Sequence, residues 1–303
     1  MLCLKAHAKI NWSLDILGTR EDGYHLMDML MQSVEMHDTL WLEEADELSL
    51  EGVTVSGRTN EEGGALSSEV VTYDEKNLVY RAAKKLQERY HVKKGAHMRL
   101  EKRISSGAGM GGGSADAAAA LKGLCELWQL DVPFDELKAI GLSLGADIPF
   151  MLTGGLARVG GIGEEIQPLF PAPEIWLVML QPCEGLSTRE IFTAFDSLPA
   201  DQIIHPRTDK AQKALLDRDL LSLSSAMDNV LEHVSADARP AIYEACRALE
   251  KAGAVRGMMT GSGSVVYGVF STEEEAAKAA EALRPAASEK GWGDVWITRT
   301  RKA

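Results

Sequence analysis

Between residues 98 and 128 the sequence passes from Met98, Leu100 and Ile104 in alternation, through GAGMGGG at Gly107 to Gly113, into an alanine run followed by Leu121, Leu124, Cys125 and Trp128 at helical spacing. This order predicts strand, glycine loop, helix. Five of the seven loop residues are glycine, an entropic cost that makes sense where backbone N–H groups must approach a ligand closely. A phosphate chain fits that need. Consecutive N–H groups free of Cβ crowding form an anion nest, and the positive end of a helix beginning near Ser114 adds to the same field. Lys102 and Arg103 stand just before it. A flexible linker is the alternative, but linkers do not usually separate a clean strand from a clean helix.

Two other phosphate motifs compete. A P-loop needs Lys followed by Ser or Thr after its last glycine, whereas this loop continues Ser114-Ala115-Asp116, so that mechanism lacks its lysine. Gly107, Gly109 and Gly112 do satisfy GxGxxG after a strand, which keeps a dinucleotide fold open. That fold requires a further strand ending in an acid about twenty residues on, and Phe134 to Leu144 reads instead as a helix ended by Gly145.

With 303 residues, 45% hydrophobic and 25% charged, the chain has the length for two cores, and two domains are expected, 1–160 and 161–303. A formal charge of −13 without any dense Lys/Arg cluster argues against a nucleic-acid partner. Cys3, Cys125, Cys183 and Cys246 lie far apart with no CxxC pair and no histidines at ligand spacing, so neither a structural metal nor a disulfide scaffold is expected. No secretory h-region and no run of about eighteen apolar residues appears. The chain reads as soluble and cytoplasmic, with no membrane partner.

From Leu2 to Ile16 the even positions are apolar, the period of a half-buried strand whose other face carries His7, Lys9 and Asn11. GTREDG at Gly18 to Gly23 is turn chemistry leading through Tyr24 and His25 into a second extended stretch. Gly52 to Lys76 reads as a loop or irregular hairpin, and Asn77 caps a helix with the stripe Val79, Ala82, Leu86 and Tyr90. Asp147 is expected at a junction from helix to extended chain, before Ile148-Pro149. Beyond residue 160 come a strand at Trp176 to Leu180, several helices, a strand pair around Met258 to Phe270, a helix from Glu273 with a capping box of Thr272 and Glu275, and a strand at Val295 to Arg299. Collapsing the middle helices to one layer gives β-α-β-β-α-β, the ferredoxin-like order.

Three motifs in order resemble the GHMP kinases: AKIN at Ala8 to Asn11, the loop GAGMGGGSADAAA, and TGSGSVVYGVF at Thr260 to Phe270. GTREDGYH at Gly18 to His25 and LGADIPF at Leu144 to Phe150 are similar to the branch of that family acting on a cytidine-diphospho sugar alcohol in nonmevalonate isoprenoid synthesis. The resemblance implies an α+β, two-domain GHMP kinase fold, with an N-terminal domain holding the loop, a ferredoxin-like C-terminal domain, and the site in the cleft between them. It implies ATP-dependent phosphorylation of the 2-hydroxyl, a tertiary alcohol, on a substrate with a cytidine diphosphate moiety, with Mg2+ accompanying the nucleotide.

Lys9 and Asp147 are then the expected catalytic pair. Asp147 would accept the proton of a poorly nucleophilic alcohol, while Lys9 holds that carboxylate ionised and stabilises charge on the reacting oxygens. Ser105, Ser106, Gly107, Ala108, Gly109, Met110, Gly111, Gly112, Gly113, Ser114 and Ala115 are expected at ATP. Asn11, Tyr24, His25, Thr188 and Phe192 are expected at the other substrate, Tyr24 and Phe192 stacking on the base and His25 hydrogen-bonding its edge. Ser105 stands where the family commonly has proline, Met110 where it has leucine, and Ala115 where a second serine is frequent, which leaves Ser114 as the side-chain hydroxyl for phosphate or metal. Gly57 to Asp74 is longer than the family needs. Two other readings stay in view: another GHMP kinase acting on mevalonate, homoserine or a sugar, and a nucleotide-binding regulator without turnover.

Overall fold

The computed structural model describes residues 1–54 and 71–302. Its first sheet is organised by one long hairpin. Strand β1 (Leu2–Thr19) pairs antiparallel with β2 (His25–Ala45), from Leu2 opposite Leu42 to Thr19 opposite His25. Strands β3 (Leu48–Thr54) and β4 (Gly95–Lys102) extend the sheet in the order β3-β4-β2-β1, and β5 (Leu156–Gly160) with β6 (Glu165–Pro168) joins along β2.

The alternation in β1 is correct, but its polar face is not a wet one. Lys9, Asn11, Ser13 and Asp15 are all buried. Register shifts between His7 and Lys9, Asn11 and Ser13, and Ile16 and Gly18 turn the strand as it runs, so its even residues enter three different cores. Ala6 packs with the first helices, Ala8, Ile10 and Trp12 join a central cluster, and Leu14 and Ile16 join the core of the second half. Trp12 is fully buried, gives its Nε1–H to Gln32 Oε1 at 2.9 Å and meets Tyr267 edge-on at 5.7 Å, a burial that contributes about 2–3 kcal/mol.

Helix α1 (Leu78–Tyr90) is capped by Asn77, whose side chain accepts from Val79 N at 2.9 Å. With α2 (Gly112–Leu127) it covers one face of the sheet. Helix α3 (Phe134–Leu142) ends at Ser143, earlier than expected from Gly145. The extended chain expected after Asp147 is instead helix α4 (Ile148–Thr153), with Asp147 at its N-cap. Proline in the first turn of a helix loses nothing, because its N–H has no intrahelical partner there. Of the loop expected from Gly52 to Lys76, Gly52 to Thr54 belong to β3. Residues 55–70 of it lie outside the described residues, as does most of the Gly57 to Asp74 insertion.

The second sheet contains β7 (Trp176–Leu180), β9 (Gly257–Met259), β10 (Val266–Phe270) and β11 (Val295–Arg299) in the antiparallel order β11-β7-β10-β9, the ferredoxin-like arrangement. Between β7 and β9 run α5 (Thr188–Asp196), α6 (Thr208–Asp217), α7 (Leu220–Ala226), the short β8 (Asp228–Asn229), α8 (Val230–Ala238) and α9 (Ala241–Lys251). Strand β8 pairs parallel with β1 at Ser13 and Leu14, tying this half to the first sheet. Helix α10 (Glu273–Glu289) opens with the capping box of Thr272 and Glu275.

On α8, buried Glu232 accepts from Met259 N at 2.7 Å. Burial pushes its carboxyl up to about 7, opposed by that hydrogen bond and Arg256, and helped by Asp228 and Glu250. A raised folded pKa favours the native state below the unfolded value and loses that stability as pH rises through the folded one. Glu232→Gln keeps an acceptor for Met259 N and removes the charge. In paired thermal melts it should match the parent near pH 4.5 and exceed it at pH 8, by up to about 3 kcal/mol. Equal melting temperatures at pH 8 would contradict the assignment.

Candidate active site

The glycine loop lies between β4 and α2 with Gly107, Gly109 and Gly111 all at positive φ, between 66° and 80°. Alternating left-handed residues turn successive N–H groups to one side, which is the geometry of a nest. Helix α2 starts at Gly112, two residues before Ser114, so the last two glycines form its first turn. The loop is stitched to two elements. Lys9 N donates to Met110 O at 3.1 Å, and Val265 N donates to Ala108 O at 3.2 Å. At Gly109 a Cβ would stand 2.0 Å from Thr260 O, so a side chain there would drive the loop off the segment TGSGS.

Beside the loop is a cleft of about 550 Å³. Ser105, Ser106, Gly107, Ala108, Gly109, Gly111, Gly112, Gly113 and Ser114 line it. Met110 and Ala115 do not. Both are buried, Met110 in the central cluster and Ala115 with the first helices, and Ala115 N donates to Gly111 O at 2.9 Å in the first turn of α2.

Lys9 and Asp147 line the same cleft. Gly111 stands between them: a Cβ on it would lie 3.4 Å from Asp147 Oδ2 and 3.4 Å from Lys9 Cγ. The Lys9 ammonium donates to Asn11 Oδ1 and to Gly109 O, each at 2.8 Å, leaving one of its three N–H bonds for the cleft. Burial pulls its pKa down, and the charge of Asp147 opposes that fall. Asn11 touches the cleft with a side chain already committed. Its Oδ1 also accepts from Gly261 N at 3.1 Å and from Thr260 Oγ1 at 3.3 Å, and its Nδ2 faces Met29 Sδ at 3.6 Å.

The turn at Gly18 to Gly23 closes with Gly23 N donating to Arg20 O at 2.9 Å and Arg20 N to Tyr24 O at 2.7 Å. It brings Tyr24 and His25 to the cleft, Tyr24 largely exposed. The His25 ring sits 4.7 Å from that of Phe192 on α5, and His25 Nε2 pairs with Asp196 Oδ1 at 2.7 Å. Thr188 Oγ1 shares a 2.9 Å hydrogen bond with Ser262 Oγ. All the expected substrate-side residues therefore face one cavity.

Sequence reasoning missed Gly261 and Ser262 as cleft-lining residues, although TGSGS carried the signal in its two glycines at positive φ. It also missed Asn229, whose Nδ2 holds Gly261 O at 2.8 Å and Met259 O at 3.1 Å. Nothing in the local pattern distinguishes that asparagine from an ordinary helix cap.

Lys102 does not reach the phosphate nest. It is buried beneath the first turn of α2, bonded to Asp38 on β2 and to Asp116 Oδ2 at 2.6 Å. Asp38 Oδ1 also accepts from Arg103 N at 2.5 Å and Ile104 N at 2.8 Å, while the Arg103 guanidinium turns out to Glu101. Burial raises the Asp116 carboxyl to about 7, against the attraction of Lys102. Lys102→Met would leave two buried carboxylates facing each other without their cation. Denaturant titration at pH 7.5 should show a loss of about 3–5 kcal/mol, and an unchanged midpoint would show that the network contributes nothing.

Comparison with known proteins agrees with this architecture. A family model described as GHMP kinases N terminal domain matches residues 77–155, and one described as GHMP kinases C terminal matches residues 211–289. The fold is that of a GHMP kinase, an enzyme class that phosphorylates small molecules with ATP. A homoserine kinase from Cytophaga hutchinsonii shares the fold, with a TM-score of 0.72 at 18% identity over 99% of this chain and 95% of its own. A crystal structure of 4-(cytidine 5'-diphospho)-2C-methyl-D-erythritol kinase superposes with a TM-score of 0.79 at 30% identity, covering 100% of both chains. The 4-diphosphocytidyl-2-C-methyl-D-erythritol kinase of Clostridium botulinum (strain Eklund 17B / Type B) is 37% identical over 297 residues, 98% of this chain and 99% of its own. The chain belongs to the 4-diphosphocytidyl-2-C-methyl-D-erythritol kinase family.

Proposed function

We propose that this chain transfers the γ-phosphoryl group of ATP to the 2-hydroxyl of 4-(cytidine 5'-diphospho)-2-C-methyl-D-erythritol, with residues 1–160 supplying the ATP loop and 161–303 the ferredoxin-like half. The observation that carries this is the convergence on one cleft of the glycine loop, Lys9, Asp147, and the pair His25 and Phe192. Along β2, His25 lies six residues from Met31, the partner of Asn11, or roughly 20 Å at about 3.3 Å per residue. That span suits a long substrate with a base at one end and an alcohol at the other.

Ser105 to Ser114 hold the triphosphate, chiefly through backbone N–H groups and the N-terminus of α2. The alcohol oxygen bonds to the γ-phosphorus as the bond from that phosphorus to the β–γ bridging oxygen breaks. Its proton passes to Asp147, and ADP leaves. No described protein group donates a hydrogen bond to the Asp147 carboxylate, which leaves it open to an incoming hydroxyl. Lys9, fixed by Asn11 and Gly109, directs its remaining N–H at the charge developing on the reacting oxygens. Asn11 is thereby a positioning residue for Lys9.

Magnesium is the metal of this reaction class. The described residues contain no group of three or more His, Cys, Asp or Glu able to hold an ion, but magnesium takes only one or two protein oxygens beside its phosphates. The Ser114 hydroxyl on the cleft wall fits that role. When bound, the ion neutralises charge on the β- and γ-phosphates. At the other end, a neutral His25 that gives its Nε2–H to Asp196 keeps Nδ1 as an acceptor for the exocyclic amine of cytosine. Phe192 and Tyr24 offer ring faces, and Thr188 faces the reacting portion of the substrate.

In an ATP-consumption assay against 4-(cytidine 5'-diphospho)-2-C-methyl-D-erythritol, mevalonate, homoserine and galactose, turnover is expected with the first alone. Turnover with mevalonate alone would overturn the substrate assignment. Asp147→Asn should lower kcat by at least about a hundredfold, the usual scale for losing a general base. If kcat stays near that of the parent, Asp147 has no part in proton transfer.

A further inference from the structure

A second cavity of about 400 Å³ is bounded by the start of β1, by Ala115, Ala118, Ala119, Lys122 and Glu126 of α2, and by residues 301 and 302. None of its lining residues lines the cleft. Lys5, Lys122, Arg301 and Lys302 stand around it, and Glu126 is the one carboxylate among its lining residues. A chain with a formal charge of −13 has acids to spare for neutralising such a group, yet here it has left the cations crowded.

The crowding is specific. Lys122 has its pKa lowered first by burial and then by the charge of Arg301, with no carboxylate opposing either effect. His7 falls to about 4, again by burial first and Arg301 second, while its Nδ1 bonds to Val34 O at 3.0 Å. Arg301 is held near these two bases by its backbone: its N donates to Ser33 O at 2.8 Å, and its O accepts from Gln32 Nε2 at 3.0 Å. Its guanidinium reaches Glu35 only at 3.5 Å, whereas Lys302 is engaged with Glu174 at 3.2 Å. The available positive charge is therefore that of Lys122 and Arg301, with Lys5 beside them. An anion between such cations would relieve their repulsion.

The remaining walls are apolar, with Ala115, Ala118 and Ala119 along α2 and Met151 on α4. We propose that this cavity is a second ligand site, taking a small organic phosphate or diphosphate with an apolar portion, its anionic head between Lys122 and Arg301 and its apolar part against the α2 alanines. An occupant would also touch the reaction centre indirectly. Met151 Cε packs 2.4 Å from where a Cβ on Gly111 would stand, and Ala115 N is bonded to Gly111 O. Gly111 is the residue between Lys9 and Asp147, so pressure on Met151 and Ala115 bears on that pair.

The test is calorimetric titration of the full chain with inorganic pyrophosphate and with hexyl diphosphate. A non-hydrolysable ATP analogue and cytidine, which carries no phosphate, are held saturating, so that the phosphate nest and the base end of the cleft are closed to both probes. Saturable binding at one site is expected, tighter for hexyl diphosphate, and weakened by at least about tenfold in Lys122→Ala/Arg301→Ala. That double variant keeps the backbone bonds of Arg301, and an unchanged melting temperature and basal kinase rate would confirm that it is folded. Absence of saturable binding with the cleft occupied, or equal affinity in the double variant, would overturn the site. Equal affinity for the two probes would overturn its apolar portion. A single Lys122→Glu variant, which reverses one charge on the α2 wall of the cavity, should abolish binding of both probes, and retained binding would again overturn the site.

Discussion

The carboxamide of Asn11 is the point on which the two halves of the molecule meet. Its one oxygen accepts from the Lys9 ammonium, from Gly261 N and from Thr260 Oγ1, while its backbone N donates to Thr260 Oγ1 and its backbone O accepts from Tyr267. One residue of the first sheet thus holds one lysine of its own strand and three residues of the second half. Removing that oxygen would leave a buried ammonium and a buried N–H short of acceptors, and each such group is costly in a low-dielectric interior. The position of Lys9 and the seam between the halves are consequently one structural fact.

This seam explains why the glycines are where they are. Gly109 and Gly261 face each other so closely that a Cβ on either would strike the backbone of the other segment. Close approach lets Gly109 O serve as the second acceptor for Lys9. The glycine loop therefore has two jobs that share a cause. Its N–H groups are free for an anion on one side because its carbonyls are occupied on the other, by Lys9, Val265 and the backbone N of Lys9.

What could be read from the sequence follows from where the physics is local. The capping box of Thr272 and Glu275, the Asn77 cap and the strand limits of Trp176 to Leu180 and Val295 to Arg299 depend on near neighbours, and the structure has them as expected. Helix α4 was hidden because Ile-Pro reads as extended until the proline is known to fall in a first turn. The fate of Lys102 depended on Asp38, 64 positions away in sequence, and a lysine beside a phosphate loop has no local mark telling whether it faces ligand or core. The pairing of β8 with β1 was likewise invisible, being a two-residue bridge between distant segments.

The placement of Lys102 and Arg103 carries a lesson about charge. With Lys102 turned inward between two aspartates and Arg103 turned outward to Glu101, the flanking cations contribute little to the loop. Apart from Lys9 at its edge, the positive potential of the nest comes from the backbone: three left-handed glycines and the first turn of α2. Such a field is fixed in place and needs no side chain to reorganise as charge moves, which suits phosphoryl transfer. A lysine-based cradle would need its own counter-charges in so acidic a chain. The buried Lys102 instead ties β4, β2 and α2 together beneath the loop, so the cation stiffens the cradle and the peptide groups supply its charge.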